Sequence, residues 1–275
     1  MMNNILVKLS LFYYPIASCL QVAYLPLDER FTTRNAFLNL AGVTPFNVIT
    51  PDLSIIPSQR IPANSTALTL WTSSAFNTSD AFVMSLEMYL YGGLIGSRIS
   101  NQSQSSVLDR VQDLISFKSN NPNVRIYAGS VVMRIPGYNT VPCTEDNWYW
   151  YSYGTDLFTY SYYTSKYAQT HNSSDLEAAQ AAEAKIPASI VKDFLWRRSR
   201  NFNVSLELLN ILSGFPSFFE TFYITQFKNI RRKVEIKEED EGLIKINVQQ
   251  SIRNSHPTLP TSQVEESLES RRYRQ

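Results

Sequence analysis

Three apolar segments, each ending in charged, Gly or Pro residues, constrain the possible folds of this chain most. They are Tyr24–Arg30 (YLPLDER), Ser85–Arg98 (SLEMYLYGGLIGSR) and Val131–Gly137 (VVMRIPG). Apolar runs that stop at such residues are typical of buried strands in open α/β sheets, whose ligands bind beyond the carboxyl ends of the strands. The sequence therefore predicts a sheet with a site along one edge.

Strand-like and helix-like patterns alternate along the first half of the chain. This β-α-β alternation predicts an α/β fold with a mostly parallel sheet and helices on both faces, as in Rossmann-like open sheets. The predicted strands are Val22–Leu25, Phe46–Ile49, Ala81–Ser85 and Val124–Met133.

Polar residues predict where the helices begin. Thr32 or Thr33 is expected to cap the first helix, which Gly42 closes, and Ser105 or Ser106 is expected to cap a later amphipathic helix. The residues expected to face inward are Phe37, Leu38 and Leu40 in the first helix, and Val107, Leu108, Val111, Leu114 and Ile115 in the later one.

Charge and composition exclude some partners. Lys and Arg number 25 against 24 Asp and Glu, for a formal net charge of +1, so we expect no nucleic-acid partner. The chain is rich in aromatic residues, with 16 Tyr, 15 Phe and 4 Trp. Such side chains stack on sugar rings or pack in cores, and composition leaves both alternatives open.

The first residues are typical of a secretory signal. Lys8 precedes the apolar stretch Leu9–Leu20, which is too short for a stable membrane span, and Ala17 and Cys19 suit cleavage after residue 19. The alternative is a buried N-terminal strand or helix. We therefore expect a secreted, extracellular protein, in which Cys143 would be the remaining cysteine.

Sequons for N-glycosylation agree with this expectation, since each has Ser or Thr two residues after Asn and no Pro between. Asn203 lies within a helical pattern and is the least suited to modification. The predicted glycosylation sites are Asn64, Asn77, Asn101 and Asn172.

The histidine count restricts the chemistry. His171 and His256 lie in polar segments away from the strand ends, which argues against a Ser-His-Asp triad. Asp28 and Glu87, beyond the first and third strands, remain as catalytic candidates that act as acid and base. Alternatively they hold a divalent cation through their oxygens.

Further residues at these strand ends are candidates for binding a small-molecule or saccharide ligand. Arginines clamp anionic groups, and glycines permit close backbone approach. A purely structural alternative stands beside this hypothesis: Asp28 caps a helix, Arg30 and Arg134 pair with buried carboxylates, and Tyr91–Gly93 forms a turn. The candidate binding residues are Arg30, Tyr91, Gly92, Gly93, Arg98 and Arg134.

Three motifs carry a resemblance to a known family. PLDER at Pro26–Arg30, VMSLEMYLYGGLIGSR at Val83–Arg98 and MRIP at Met133–Pro136 resemble the family of unknown function DUF4127, from about Val22 to Leu212. The resemblance implies a parallel α/β fold and brings no established activity. Family members are roughly twice as long, with an Asp-Asp motif in their second half, so the resemblance also implies a truncated form.

The predicted organisation has three parts: a signal peptide at 1–19, an α/β domain at 20–213, and a disordered or non-homologous tail at 214–275. Dense charge in Lys228–Gly242 and polar residues thereafter indicate the tail. The functional hypothesis is a secreted, carboxylate-dependent hydrolase acting on an extracellular carbohydrate-like substrate. The alternative is a non-catalytic half-domain or a secreted ligand-binding or interaction module.

Overall fold

The computed structural model describes residues 19–139, 147–215, 218–226 and 243–246. Its strands are β1 (Gln21–Leu25), β2 (Asn47–Ile49), β3 (Ala81–Ser85), β4 (Arg125–Val132), β5 (Thr221–Gln226) and β6 (Leu243–Ile246). They form one sheet in the order β2-β1-β3-β4-β5-β6. All neighbours from β2 to β5 pair in parallel, and β6 pairs antiparallel with β5. The predicted α/β class with a mostly parallel sheet is confirmed.

Eight helices accompany the strands in the described residues. Short helices follow β1 and β3, and longer ones connect the remaining strands. They are α1 (Asn35–Ala41), α2 (Ser65–Thr78), α3 (Leu86–Tyr91), α4 (Leu94–Ile99), α5 (Gln104–Asn120), α6 (Trp150–Thr170), α7 (Ser173–Glu183) and α8 (Ala188–Gly214). None of the helices in this part of the chain has the length and apolar character needed to cross a membrane.

One face of the sheet carries the main core. Alternate residues of the central strands point to this face, including Leu25, Phe82 and Ile126, all fully buried. They pack against apolar residues of α2, α3, α5 and α8. The predicted inward positions of α5 are confirmed: Val107, Val111 and Leu114 are buried, and Leu108 and Ile115 pack partly buried against the same core.

The opposite face is covered differently. Tyr24 points to it and stacks on Phe37 of α1 with ring centroids 3.8 Å apart. Val83, Tyr127 and Gly129 lie on this same face by strand alternation, and they are only half-buried. Helices therefore lie on both faces, with α1 over β1 and the larger group behind the sheet.

The connections reverse direction at β1. The chain passes from β1 through α1 to β2 on one side, and then through α2 to β3 on the other side of β1. The β1–β3 junction is consequently a topological switch point. In open α/β sheets the crevice for ligands lies outside the carboxyl ends of the strands at such a point.

A second apolar cluster joins α6, α8 and Ile186, which lies just before α8. Its buried members include Trp150, Leu157 and Phe194, and the rings of Trp150 and Phe194 lie 5.8 Å apart. This cluster holds α6 in place next to the segment that leaves β4, which becomes important for the second cleft described below.

Several predictions need correction. The boundary between 213 and 214 falls too early, because β5 at Thr221–Gln226 pairs with β4 and buries Phe222. Leu40 does not face inward; it is 68% exposed. The helix caps also differ from the predicted ones. α1 begins after Arg34, and Ser103 caps α5 by accepting a hydrogen bond from the Ser106 backbone N–H.

Other predictions concern residues outside the described ranges. These are the body of the signal peptide, Cys143, His256, and the segments 227–242 and 247–275.

Candidate functional site

Asp28 is buried just beyond β1, with 4% of its surface exposed. Its Oδ2 accepts hydrogen bonds from Nε and Nη2 of Arg30 at 2.9 and 2.6 Å. Its Oδ1 accepts from the Arg30 backbone N–H at 3.1 Å and from the Thr33 hydroxyl. The carboxylate is therefore charge-paired, and it orders the turn that leads into α1, as the structural alternative expects for Arg30.

Glu87 lies in the first turn of α3 and is also 4% exposed. Its Oε1 accepts from the Ser130 hydroxyl at 2.8 Å and from the Val131 N–H at 2.7 Å. Its Oε2 accepts from the Ser85 hydroxyl at 3.0 Å. Burial raises the pKa of Glu87, and these hydrogen bonds offset part of that effect. The side chain joins the carboxyl ends of β3 and β4.

Gly92 and Gly93 form the turn between α3 and α4. Their φ angles are +76° and +119°, which favour glycine, and their N–H groups bond to the carbonyls of Met88 and Glu87. A Cβ on Gly92 would lie 2.9 Å from the Ala63 nitrogen, and one on Gly93 would lie 2.8 Å from Pro57 Cγ. The close approach that these glycines permit is made by the chain's own 57–63 segment, as the turn alternative expects.

Tyr91 and Arg98 are both buried, at 5% exposure each. The guanidinium of Arg200 lies 5.1 Å from the centre of the Tyr91 ring, and burial raises the pKa of the Tyr91 hydroxyl. Arg98 lies in the last turn of α4, where a cation is favoured by the helix dipole. Both side chains lie within the packed interior behind the sheet edge.

Thr33, Ser85 and Ser130 bring the two carboxylates to one cleft. Each of these hydroxyls bonds to Asp28 or Glu87, and each of the three residues contributes to the lining of a cleft of ≈ 450 Å³ at the switch point, which we call the sheet cleft. The Ser130 side chain itself points to the main-core face, because it alternates with Gly129 along β4. Asp28 and Glu87 do not line the cleft themselves; each is hydrogen-bonded to a residue that does. The sequence analysis missed all three hydroxyls, although Ser85 lies only two residues before Glu87.

Aromatic rings and a glycine complete the sheet cleft. Tyr24, Phe37, Tyr127 and Tyr223 contribute rings, and no charged side chain is among the described residues that line it. Burial, and then the Asp28 charge, raises the pKa of Tyr24 to about 12, so its hydroxyl stays protonated at neutral pH. At Gly129, nothing lies within 4 Å of the position a Cβ would take, so this residue leaves the floor open.

Arg134 belongs to a different cleft. It lies beyond β4 and faces a groove of ≈ 520 Å³ between residues 132–135 and one side of α6, which we call the α6 groove. The sequence-predicted residues therefore do not converge on one site. The α6 residues that line this groove are Phe158, Ser161, Tyr162, Ser165, Lys166, Gln169 and Thr170.

The divalent-cation alternative receives no support from the donor set. In the described ranges, no group of three or more His, Cys, Asp or Glu side chains could hold a metal ion. At Asp28, the guanidinium of Arg30 already occupies Oδ2, where a cation would bind.

These features define an open-sheet α/β protein with a cleft at the switch point of its strands and two buried carboxylates behind it. The model of the family described as "Protein of unknown function (DUF4127)" matches residues 22–238, and the chain belongs to this family. The match extends past residue 214 and covers β5, so that segment is not a non-homologous tail. Comparisons with curated proteins and with solved structures gave no match.

Proposed function

We propose that this protein binds a neutral, carbohydrate-like small molecule in the sheet cleft. The observation that carries the proposal is the lining of this cleft at a topological switch point: its described residues supply aromatic rings and hydroxyl groups, and none of them has a charged side chain. Sugars present apolar ring faces and hydroxyl groups, which such a lining matches through stacking and hydrogen bonds.

The two buried carboxylates support this role as positioning groups. Glu87 orients the hydroxyls of Ser85 and Ser130, and Asp28 orients that of Thr33. A hydroxyl that donates to a carboxylate keeps its lone pairs for a ligand, so those of Ser85 and Thr33 can each accept a hydrogen bond from a sugar hydroxyl.

Gly129 offers a direct test of binding. G129L would add a side chain to the floor of the cleft, where nothing lies within 4 Å of the new Cβ. R125L, at the other end of β4 and outside the cleft, is the matched control. Wild type and R125L are expected to show saturable binding of a neutral disaccharide such as cellobiose, maltose or lactose by NMR titration, and G129L at least tenfold weaker binding. Absence of binding to all three, or binding unchanged in G129L, would contradict the proposal.

A second candidate is the carboxylate-dependent hydrolase, which the raised pKa of Glu87 favours. A protonated Glu87 can pass its proton through the Ser85 hydroxyl to the leaving-group oxygen as that bond breaks. Water then adds to the carbon that loses the leaving group, and the proton it releases returns through solvent to Glu87. E87Q is expected to abolish hydrolysis of a bound saccharide while binding remains. Turnover unchanged in E87Q would contradict the role of Glu87, and binding without turnover by the wild type would leave the non-catalytic alternative, a ligand-binding module, as the function.

Secretion and glycosylation form part of the same proposal. Asn64, Asn77, Asn101 and Asn172 are all exposed, and each uses its side-chain oxygen as an acceptor. That bonding pattern directs the amide nitrogen, which carries the glycan, away from the bonded partner. Asn203 instead donates its amide nitrogen to Gln104 at 3.2 Å.

Expression in a eukaryotic cell tests these points together. Protein in the medium should shift in mass on treatment with an N-glycosidase. Each of the four Asn→Gln variants should remove one glycan, and N203Q, the control, should remove none. Retention of the whole product inside the cell, without glycans, would contradict the proposed secretion.

A further inference from the structure

We propose that the N-glycan at Asn101 folds back onto the protein, so that its first N-acetylglucosamine occupies a pocket beside Asn101 and lies against the ring of Trp148. The inference rests on the glycosylation of Asn101 proposed above and adds what the attached sugar contacts. This pocket, which we call the Trp148 pocket, has a volume of ≈ 340 Å³. It lies between the loop after α4, the start of α6 and the first turns of α8, apart from the sheet cleft and the α6 groove.

Asn101 forms part of the wall of the Trp148 pocket, and this sets it apart from the other predicted glycosylation sites. Asn64, Asn77 and Asn172 line neither this pocket nor the two larger clefts. A sugar linked to Asn101 therefore begins at the wall of the pocket. The covalent link gives it a high local concentration there, so a weak contact is enough to keep the pocket occupied.

Arg197 holds the Asn101 side chain in one orientation. Arg197 is 6% exposed, and its Nη2 donates to Oδ1 of Asn101 at 2.7 Å. Glycosylation replaces one hydrogen of the amide nitrogen and leaves the amide oxygen as an acceptor, so this hydrogen bond persists in the glycoprotein. A buried group thus fixes the direction in which the glycan leaves the side chain.

The charges at the Trp148 pocket are balanced within it. All five N–H donors of Arg197 are used: two bond to the carboxylate of Asp193 at 2.9 Å, two bond to carbonyls of the loop after α4 at 2.7 and 2.5 Å, and one bonds to Asn101. No other charged side chain is among the described residues that line the pocket. An ionic ligand would meet no unpaired opposite charge among them, so a neutral polar ligand fits better.

Trp148 supplies a ring for the sugar. The residue is 66% exposed, whereas the neighbouring Tyr149 is 4% exposed. The two rings lie edge to face with centroids 5.8 Å apart, and the Tyr149 hydroxyl donates to Asp193 at 2.9 Å. Trp148 is therefore supported on one side by an anchored residue and is otherwise open to solvent. A sugar ring placed on it would remove apolar surface from water.

The rest of the lining suits the groups of N-acetylglucosamine. Ile99 and the buried Ile190 offer apolar contacts to the methyl of the acetamido group, and the exposed Ser189 offers a hydroxyl to those of the ring. The same pocket therefore combines an aromatic ring, apolar side chains and neutral hydrogen-bonding groups, which are the contacts that an N-acetylated sugar requires.

The test is NMR spectroscopy of the full chain, secreted by a eukaryotic cell that is fed ¹³C-labelled sugar. T66A, S79A and S174A remove the other three predicted sequons and keep the asparagine caps of α2 and α7. Endoglycosidase H trims the remaining glycan to its first N-acetylglucosamine. Protons of a sugar that lies on an indole ring are shifted upfield by the ring current, and we expect such shifts here, with NOEs between the sugar and the indole of Trp148.

Two substitutions locate the contact. W148A is expected to abolish the upfield shifts of the sugar protons. Y151A removes a similarly exposed ring, 60% exposed, at the start of α6 and outside the pocket lining, so it is the matched control and should keep the shifts.

The two proposals fail in different ways. Absence of a glycan from Asn101, measured by mass spectrometry of the secreted protein, would overturn the glycosylation of this residue and the inference with it. A glycan that is present but whose first sugar shows no upfield shift, or keeps the same shift in W148A, would overturn the inference alone.

Discussion

The hydroxyl of Ser130 donates a 2.8 Å hydrogen bond to Oε1 of Glu87, a residue 43 positions earlier in the chain. Ser130 belongs to β4, and Glu87 belongs to the first turn of α3. The bond therefore joins the ends of two parallel strands on which the sheet cleft depends.

Glu87 should make the stability of the protein depend on pH. Its folded-state pKa lies above the ordinary value of 4.5, so the folded state binds this proton more tightly than the unfolded state. Its contribution to the free energy of unfolding is largest below pH 4.5, and it is lost as pH rises from there through the raised folded pKa. E87Q keeps an acceptor for Ser130 and Val131, and it can donate to Ser85.

We therefore expect the stability of E87Q relative to wild type to increase between about pH 4 and about pH 7. Urea denaturation at both pH values measures this difference. E177Q, at an exposed position of α7, is the control and should show little change. A difference between E87Q and wild type that is constant with pH would contradict the raised pKa.

Arg200 should be indispensable to the loop after α4. The side chain is 2% exposed, and its guanidinium donates to the carbonyls of Ser97, Ser100 and Gln102 at 2.8, 2.8 and 3.1 Å. Lysine cannot reproduce this set of donors. R200K is expected to lower the free energy of unfolding by about 3 kcal/mol in urea denaturation. R125K, at an exposed position, should change the free energy of unfolding little. Equal effects of the two substitutions would argue against a stabilising role for the hydrogen bonds of Arg200.

Two glycines should respond to alanine in opposite directions. Gly129 lies within β4, with nothing within 4 Å of a new Cβ. G129A should therefore stabilise the fold by about 0.5 kcal/mol, because alanine lowers the conformational entropy of the unfolded chain. Gly92 has φ +76° and would place a Cβ 2.9 Å from the Ala63 nitrogen, so G92A should destabilise it by more than about 1 kcal/mol. Thermal unfolding of both variants measures the contrast, and a stabilising G92A would contradict the described turn.

Asn64 should contribute to stability as a helix cap even without a glycan. Its side-chain oxygen accepts from the Ala67 N–H at 3.1 Å at the start of α2. In protein made in bacteria, N64A is expected to cost about 1 kcal/mol, whereas N64D keeps the acceptor and should cost much less. Equal losses for the two variants, measured by urea denaturation, would show that the cap is not the cause.

The ion pair of Asp28 and Arg30 should show measurable coupling. Asp28 is buried, whereas the Arg30 side chain is 48% exposed, so solvent screens part of the attraction. A double-mutant cycle with D28N and R30Q is expected to give a coupling free energy of about 1 kcal/mol. D109N, on the exposed side of α5, serves as the uncoupled partner for R30Q. A coupling indistinguishable from that of the D109N cycle would contradict a stabilising pair.

The strand and helix pattern was predictable because it is local. The compact apolar run at Ala81–Ser85 marks a buried strand, and the helical spacing of Val107, Val111 and Leu114 marks the buried side of α5. β5 was missed because its short run, Thr221–Gln226, follows a break in the pattern after Gly214 and lies next to a charge-dense segment. Only its pairing with β4 distinguishes it from a loop.

The candidate site was predictable in position but not in its members. The motifs located Asp28 and Glu87 at neighbouring strand ends, which the parallel register confirms. The hydroxyls of Thr33 and Ser130 carried no comparable signal, because Ser and Thr are common and their partners lie elsewhere in the chain. Gly129 and Ser130, within an otherwise apolar strand, were the strongest available indication.

By itself, the sequence determined the α/β class, the strand ends that carry polar residues and the family, since all three follow from the order of residues along the chain. The tertiary structure alone decided that Arg30 pairs with Asp28, that Ser130 reaches Glu87, and that Arg134 faces α6 rather than the two carboxylates. Strand register and helix packing bring such groups together from distant positions. A pattern that repeats every two or four residues carries no information about which of them meet.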